Sequence, residues 1–118
     1  MKTKARRIEE EDLRIREVLR DLTTDLLNLY DGLIRRAAYM RITLEDYESD
    51  LDKNGYVEQF TQSEKTDPYE RERPVARLYN AMNKNYQSIM KQLSDKLPDP
   101  VNESASEELM KFAFGAKK

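Results

Sequence analysis

Residues 22–55 read LTTDLLNLYDGLIRRAAYMRITLEDYESDLDKNG. Within that stretch Leu22, Leu26, Leu29, Leu33, Ala37, Met40, Leu44, Tyr47 and Leu51 recur at steps of mostly three and four. Such spacing puts them on one side of a helix, and the two-residue alternation of a half-buried strand is absent. The pattern is a coiled-coil-like seam with one extra-residue slip between Leu33 and Ala37. A helix over 24–53 would run about 45 Å, at roughly 1.5 Å per residue. Asn54-Gly55 supplies its stop, because glycine readily adopts the left-handed conformation that ends helices.

Downstream, residues 55–73 form a polar connector containing Pro68, in which Tyr56, Val57 and Phe60 either anchor the segment or make a short strand. Pro74 suits the first position of a helix. Val75, Tyr79, Met82, Tyr86, Ile89, Leu93 and Leu97 then repeat the seam spacing, and Pro98 and Pro100 end it. Upstream, Glu9, Glu10, Glu11 and Asp12 resemble a helix first turn, where acids complement the macrodipole. Leu13, Ile15, Val18, Leu19 and Leu22 follow, which predicts a first helix over 9–21. Asp21, Thr23 and Thr24 are the candidate caps for the next helix, or else 9–53 is one continuous helix.

The predicted fold is all-α. An antiparallel hairpin pairs 24–53 with 74–97, and an N-terminal helix is added. Charge supports the antiparallel sense: the long helix ends in Glu45, Asp46, Glu48, Asp50 and Asp52, and the later helix opens with Arg71, Arg73 and Arg77. Surface pairs contribute only about 0–1 kcal/mol each, so they select this arrangement more than they stabilise it. Residues 1–8 read as a basic flexible arm, 9–98 as a helical oligomerisation domain, and 99–118 as a tail. The tail carries a short amphipathic segment, Leu109, Met110, Phe112 and Phe114, with Ser104 or Ser106 as its cap and Lys117 and Lys118 at its end.

Composition narrows the function. The chain has 118 residues, enough for one domain. Slim helices in which 37% of residues are charged bury little per residue, so the seams are expected to find partners by homo-oligomerising. With no cysteine and no histidine, disulfides, thiol nucleophiles and Ser-His-Asp chemistry are excluded. No Gly-rich phosphate loop and no nucleophile-and-base constellation is present, so a non-enzymatic protein without a cofactor is expected. No apolar run approaches ~18 residues and no leader-like hydrophobic segment precedes the helices, which predicts an intracellular protein without a membrane span. A net charge of −2 excludes a uniformly basic nucleic-acid binder, but the charge is segregated.

Two basic groups stand out. Arg77, Lys84 and Lys91 recur every seven residues on the later helix, with Lys96 near their line, and Asp95 is the only acid between Pro74 and Leu97. A helix so biased can follow phosphates, although a cationic stripe opposite an apolar seam also describes an ordinary solvated helix. Lys2, Lys4, Arg6 and Arg7 make the terminal arm, able to lie in a groove or to remain idle. Arg35, Arg36 and Arg41 form a third group, facing a ring's channel or flanking the seam. Tyr30, Tyr47, Tyr79 and Tyr86 sit at seam positions and read as core. Leu109, Met110, Phe112 and Phe114, beyond two prolines, suit capture in a partner's groove or folding back on the bundle.

A partial calcium-loop pattern runs from Asp50 to Glu58, with oxygen ligands at the first, third and fifth places and Gly55 at the sixth. Thr61 replaces the bidentate Glu of the twelfth place, so a solvated helix end is the preferred reading and no metal is expected. The carboxylates Glu45, Asp46, Glu48, Asp50 and Asp52 likewise read as a solvated face.

Residues 25–98 resemble the small terminase subunits of tailed bacteriophages. The resemblance rests on Ala37-Ala38-Tyr39-Met40 and Tyr47 in a long helix, then Leu51-Asp52-Lys53-Asn54-Gly55 and a polar insert reaching Pro74. It continues with Leu78-Tyr79-Asn80, Asn85-Tyr86 and the closing Leu93-Ser94-Asp95-Lys96-Leu97-Pro98. The helix-turn-helix that some members carry is absent. The resemblance implies a ring-forming, non-enzymatic subunit of a genome-packaging motor in the host cytoplasm. Such a subunit binds viral double-stranded DNA and recruits the large ATPase-nuclease subunit. On charge and position, DNA contact is expected at Arg77, Lys84 and Lys91 or at Lys2, Lys4, Arg6 and Arg7. Large-subunit contact is expected at Leu109, Met110, Phe112 and Phe114. The competing reading is a helical-hairpin adaptor or scaffold that acts only through protein contacts.

Overall fold

The computed structural model describes residues 1–97. The chain is mostly helical, with one small sheet among the described residues. Its elements are α1 (Lys4–Val18), α2 (Thr24–Leu29), α3 (Asp31–Asn54), β1 (Val57–Phe60), β2 (Tyr69–Glu72) and α4 (Pro74–Ser94). The radius of gyration is 18.3 Å, against about 13 Å for a compact chain of this size, and the extents are 64 × 27 × 27 Å. The rod shape follows from laying every other helix along α3.

α3 is the central helix. It packs against α1 and against α4. Arg7 of α1 meets Glu45 and Asp46, and Arg16 meets Asp31, so α1 runs antiparallel to α3. Tyr79 of α4 meets Glu48 and Tyr86 meets Arg41, so α4 also runs antiparallel. The antiparallel hairpin read from the sequence is therefore present, with a second helix on the same central partner.

That second neighbour explains a core larger than one seam. Ala37, Leu44 and Leu51 are buried, as the seam predicts, but Ile34, Ala38 and Ile42 are buried too. Consecutive residues lie about 100° apart round a helix. The Ala37 and Ala38 rows are thus separate stripes, and α3 needs both because two helices flank it. Ile15 and Leu19 of α1 and Tyr86, Met90 and Leu93 of α4 join Ile34, Ala37, Ala38 and Leu44 in one cluster.

Three boundaries are set by the structure, one against the sequence reading and two that it leaves open. The first helix begins at Lys4 rather than at residue 9. Thr3 caps it, its hydroxyl accepting from the Arg6 N–H at 3.1 Å. The expected flexible arm is thus the helix's first turn. Glu9 and Glu10 lie one turn further on and pair back to Arg6 at 3.0 and 3.2 Å. Cations in a first turn oppose the helix dipole, and Glu45 and Asp46 of α3 offset that cost across the interface. Second, residues 9–53 are not one helix. The chain turns after α1, Thr23 caps α2 through the Leu26 N–H, and a further break falls at Tyr30. Leu29, a seam position in the sequence, is left 70% exposed by that break.

Third, the connector is a β-hairpin. Gly55 takes φ 82°, the left-handed conformation that ends α3 as expected. β1 and β2 then pair antiparallel, Val57 opposite Glu72 and Phe60 opposite Tyr69. Cross-strand contacts hold one face: Arg71 to Glu58 at 2.7 Å, Phe60 edge-on to Tyr69, and the Arg71 guanidinium 3.6 Å from the Phe60 ring centre. A two-stranded hairpin is marginal alone. Arg73, only 18% exposed, ties its base down by donating to the Gly55 carbonyl at 2.7 Å and pairing with Asp50 at 3.0 Å.

The calcium-loop reading fails on this geometry. Residues 50–54 stay helical, and Asp50 is engaged by Arg73 and Asn54, whose hydrogen bonds hold its carboxyl below the usual range. Of the predicted pairings between the acidic end of α3 and the arginines, Arg73–Asp50 forms. Arg71 and Arg77 instead pair within the hairpin region, with Glu58 and Glu72.

Candidate nucleic-acid interface

α4 starts at Pro74, whose fixed φ suits a helix's first turn, and turns most of its apolar residues toward the bundle, with Leu78 left exposed. Ala76, Tyr86, Met90 and Leu93 are buried against the bundle. A step of seven residues returns to the same side of a helix within about 20°. Arg77, Lys84 and Lys91 therefore form a row, and all three are exposed on the side away from α3. Arg77 is 83% exposed with Glu72 at 3.5 Å; Lys91 is 75% exposed with Asp95 at 3.7 Å. Lys84 has no ion pair among the described residues. Contacts so long and wet hold little energy, which leaves the three charges available to an external anion.

The N-terminal cations differ. Lys2 meets Glu10 at 2.8 Å, Lys4 meets Asp46 at 3.8 Å and lies over the Tyr39 ring, and Arg6 meets Glu9 and Glu10. Arg7 is held bidentately between Asp46 at 2.8 Å and Glu45 at 3.1 Å, and these hydrogen bonds, Asp46 first, raise its pKa further. A phosphate would have to displace carboxylates already in place. Of the two basic groups expected to meet DNA, the α4 row is the more exposed; in the N-terminal group Arg7 is committed to the fold, while Lys2, Lys4 and Arg6 hold surface pairs.

The third basic group divides. Arg35 and Arg36 are exposed on α3. Arg41 is drawn inside, donating to the Tyr86 hydroxyl at 3.4 Å and pairing with Glu45 at 3.5 Å. Burial raises the pKa of Tyr86, and the Arg41 hydrogen bond opposes it. Near this knot Glu11 is 5% exposed, with one carboxylate oxygen buried and unpartnered. Desolvation raises its pKa, against the attraction of Arg41 and Arg14. A cleft of about 560 Å³ beside it is lined by charged residues, Lys2, Arg7, Glu10, Glu11, Arg14 and Glu45, together with Met1 and Ile42. A raised carboxylate in a cleft is a candidate acid or base. Here its charged neighbours are engaged with one another, and no nucleophile faces it among the lining residues.

Of the four tyrosines expected in the core Tyr86 is buried; Tyr30 and Tyr79 are half-buried against the core, Tyr79 donating to Glu48 at 3.0 Å, and Tyr47 is half-buried outside that cluster. Among the described residues no cluster of three or more potential metal ligands occurs, and no helix is long and apolar enough to cross a membrane. Leu109, Met110, Phe112 and Phe114, expected to contact the large subunit, lie outside the described residues, as do Pro98 and Pro100.

No protein-family model matches the chain, and neither do the characterised proteins or the solved structures compared with it.

Proposed function

We propose that this chain is a non-enzymatic, self-assembling DNA-binding subunit of a phage packaging machine, of the small-terminase type. The observation that carries the DNA-binding part is the outer face of α4. Arg77, Lys84 and Lys91 stand there without an acid among the exposed residues from 77 to 92, in a chain with 23 acids. The order of long helix, Asn-Gly stop, polar insert and Pro-led helix supports the small-terminase part. A slim rod that buries one narrow core supports self-association, and a ring would repeat the α4 row so that weak contacts add by avidity. Its place of action in this reading is the host cytoplasm, with viral double-stranded DNA and the large ATPase-nuclease subunit as partners.

A second reading, a helical scaffold that binds only protein, is favoured by one observation. Leu13 at 59% exposure, Leu29 at 70% and Leu78 at 54% leave apolar surface on α1, α2 and α4. Two measurements separate the readings. Light scattering at low and moderate salt should give a large closed assembly of roughly eight to ten subunits. Replacing Arg77, Lys84 and Lys91 together by Ala should weaken duplex binding and flatten its salt dependence by about three counterions. A stable monomer or dimer without DNA affinity would establish the scaffold reading instead.

A further inference from the structure

The DNA-binding reading above leaves open what else lies on the same face, and the exposed residues there are unusual in kind. Asn80, Lys84, Gln87 and Lys91 are spaced i, i+4, i+7, i+11, and all four are exposed. Residues three and four apart are neighbours on a helix, so these side chains form one ridge in which amides alternate with ammonium groups. Asn85 and Gln92 are exposed on the flank. The exposed side of α1 contrasts with it: Arg6, Glu9 and Glu17 there are tied up in short-range pairs, Arg6 with Glu9 and Glu10 and Glu17 with Arg20 just beyond the helix.

We infer that α4 is a major-groove reading helix, and that Asn80 and Gln87 give the protein its base preference while Lys84 and Lys91 hold it in place. The inference rests on the DNA-binding reading and deepens it. The chemistry is specific. A carboxamide both donates and accepts, which matches adenine's N6 and N7 in the major groove. Ammonium groups meet phosphates, or the O6 and N7 of guanine. A helix about 10–12 Å across fits a groove about 12 Å wide. Eleven residues span about 16 Å, or roughly five base pairs at 3.4 Å each. The footprint is therefore short and purine-bearing. α4 can approach because its main packing partner is α3 and this ridge is turned to solvent. A-form RNA is not the fitting partner, since its major groove is too deep and narrow for side chains to read.

The test is selection of a randomised DNA duplex by the full chain, with fluorescence-anisotropy titrations of the enriched and a scrambled duplex at fixed salt. Wild type should enrich a short element with adenine at defined positions. Asn80→Ala and Gln87→Ala should each relax the preference at one position, roughly five- to a hundredfold. Their affinity for the scrambled duplex should stay within about threefold. Lys84→Ala should weaken both duplexes alike. Circular dichroism confirms that these surface variants keep their helix content. If wild type binds duplex and the two amide variants keep its preference, the inference is overturned and the phosphate-binding reading survives. If wild type binds duplex with no preference, the outcome is the same. Equal affinity for duplex RNA of the same sequence also overturns it. Absence of DNA binding by wild type overturns both.

Discussion

Glu11→Gln should make this protein more stable at pH 8. Glu11 lies on the inner side of α1, 5% exposed, with Oε2 buried and without a hydrogen-bond partner. Leaving a buried acceptor unsatisfied costs about 1–3 kcal/mol, and more for a charged one. Arg41 and Arg14 return part of that by attraction, but desolvation is the larger effect and the carboxyl's pKa is raised. Glutamine has the same shape and no charge to desolvate, although its amide still lacks a full set of partners. The expected net gain is about 1 kcal/mol, or roughly 4 °C in Tm for a domain near 100 residues. The pH dependence follows from the sign of the shift. A carboxyl raised in the folded state stabilises the fold when protonated; that contribution is complete below the unfolded pKa and is lost as pH rises through the folded one. The advantage of Gln should thus be present at pH 8 and shrink toward zero near pH 4. Glu10 and Asp50, whose carboxyls are lowered by Lys2 and by Asn54 with Arg73, work in the opposite sense but are common to both proteins and cancel. Urea titrations of both proteins at pH 4, 6 and 8 measure the difference. A variant less stable than wild type at pH 8 would show that Arg41 and Arg14 outweigh desolvation, and the account of this knot would be wrong.

Other substitutions probe the joints of the fold. Arg73→Met removes the donor to Gly55 and the partner of Asp50 at a half-buried site, and should cost about 1–3 kcal/mol by urea titration. The same variant should raise protease sensitivity in 57–72, because the hairpin loses its anchor. Ala38→Leu forces three extra carbons between α1 and α3 where the residue is fully buried, costing about 1–3 kcal/mol; Tyr39→Leu, half exposed next to it, should cost far less. Thr3→Ala removes the α1 cap and should cost about 1 kcal/mol, read as lost helicity at the N-terminus by amide exchange.

Much of this fold was legible along the chain. Gly55 at positive φ, Pro74 at the head of α4 and the burial of Ala37, Leu44, Leu51, Tyr86 and Leu93 all follow from local signals. The candidate DNA face was legible too, because the Arg77–Lys84–Lys91 row needs only the period of a helix. The amide ridge was in the same residues, but amides carry no signal until their exposure is known. The pairing of the N-terminal cations was hidden for a related reason. A run such as Lys2, Lys4, Arg6 and Arg7 looks free when read alone, and the acids that neutralise two of its members, Glu45 and Asp46, lie some forty positions away. Acids at 9–12 resembled a first turn because dipole preference is weaker than a cap, and the Thr3 hydroxyl outranked it.

The sequence by itself determined where α3 stops and where α4 starts, that these two run antiparallel, and which face of α4 is charged. Each of these depends on caps, prolines or a period within a few turns. Tertiary structure alone decided the rest: that α1 reaches back to Lys4, that α3 carries a second buried stripe at Ile34, Ala38 and Ile42, that Tyr30 breaks the long helix, and that the connector pairs into a hairpin. Those outcomes turn on which surface meets which. Ile34, Ala38 and Ile42 are buried because a second helix lies along α3, and Glu11 has a raised pKa because packing takes it out of water.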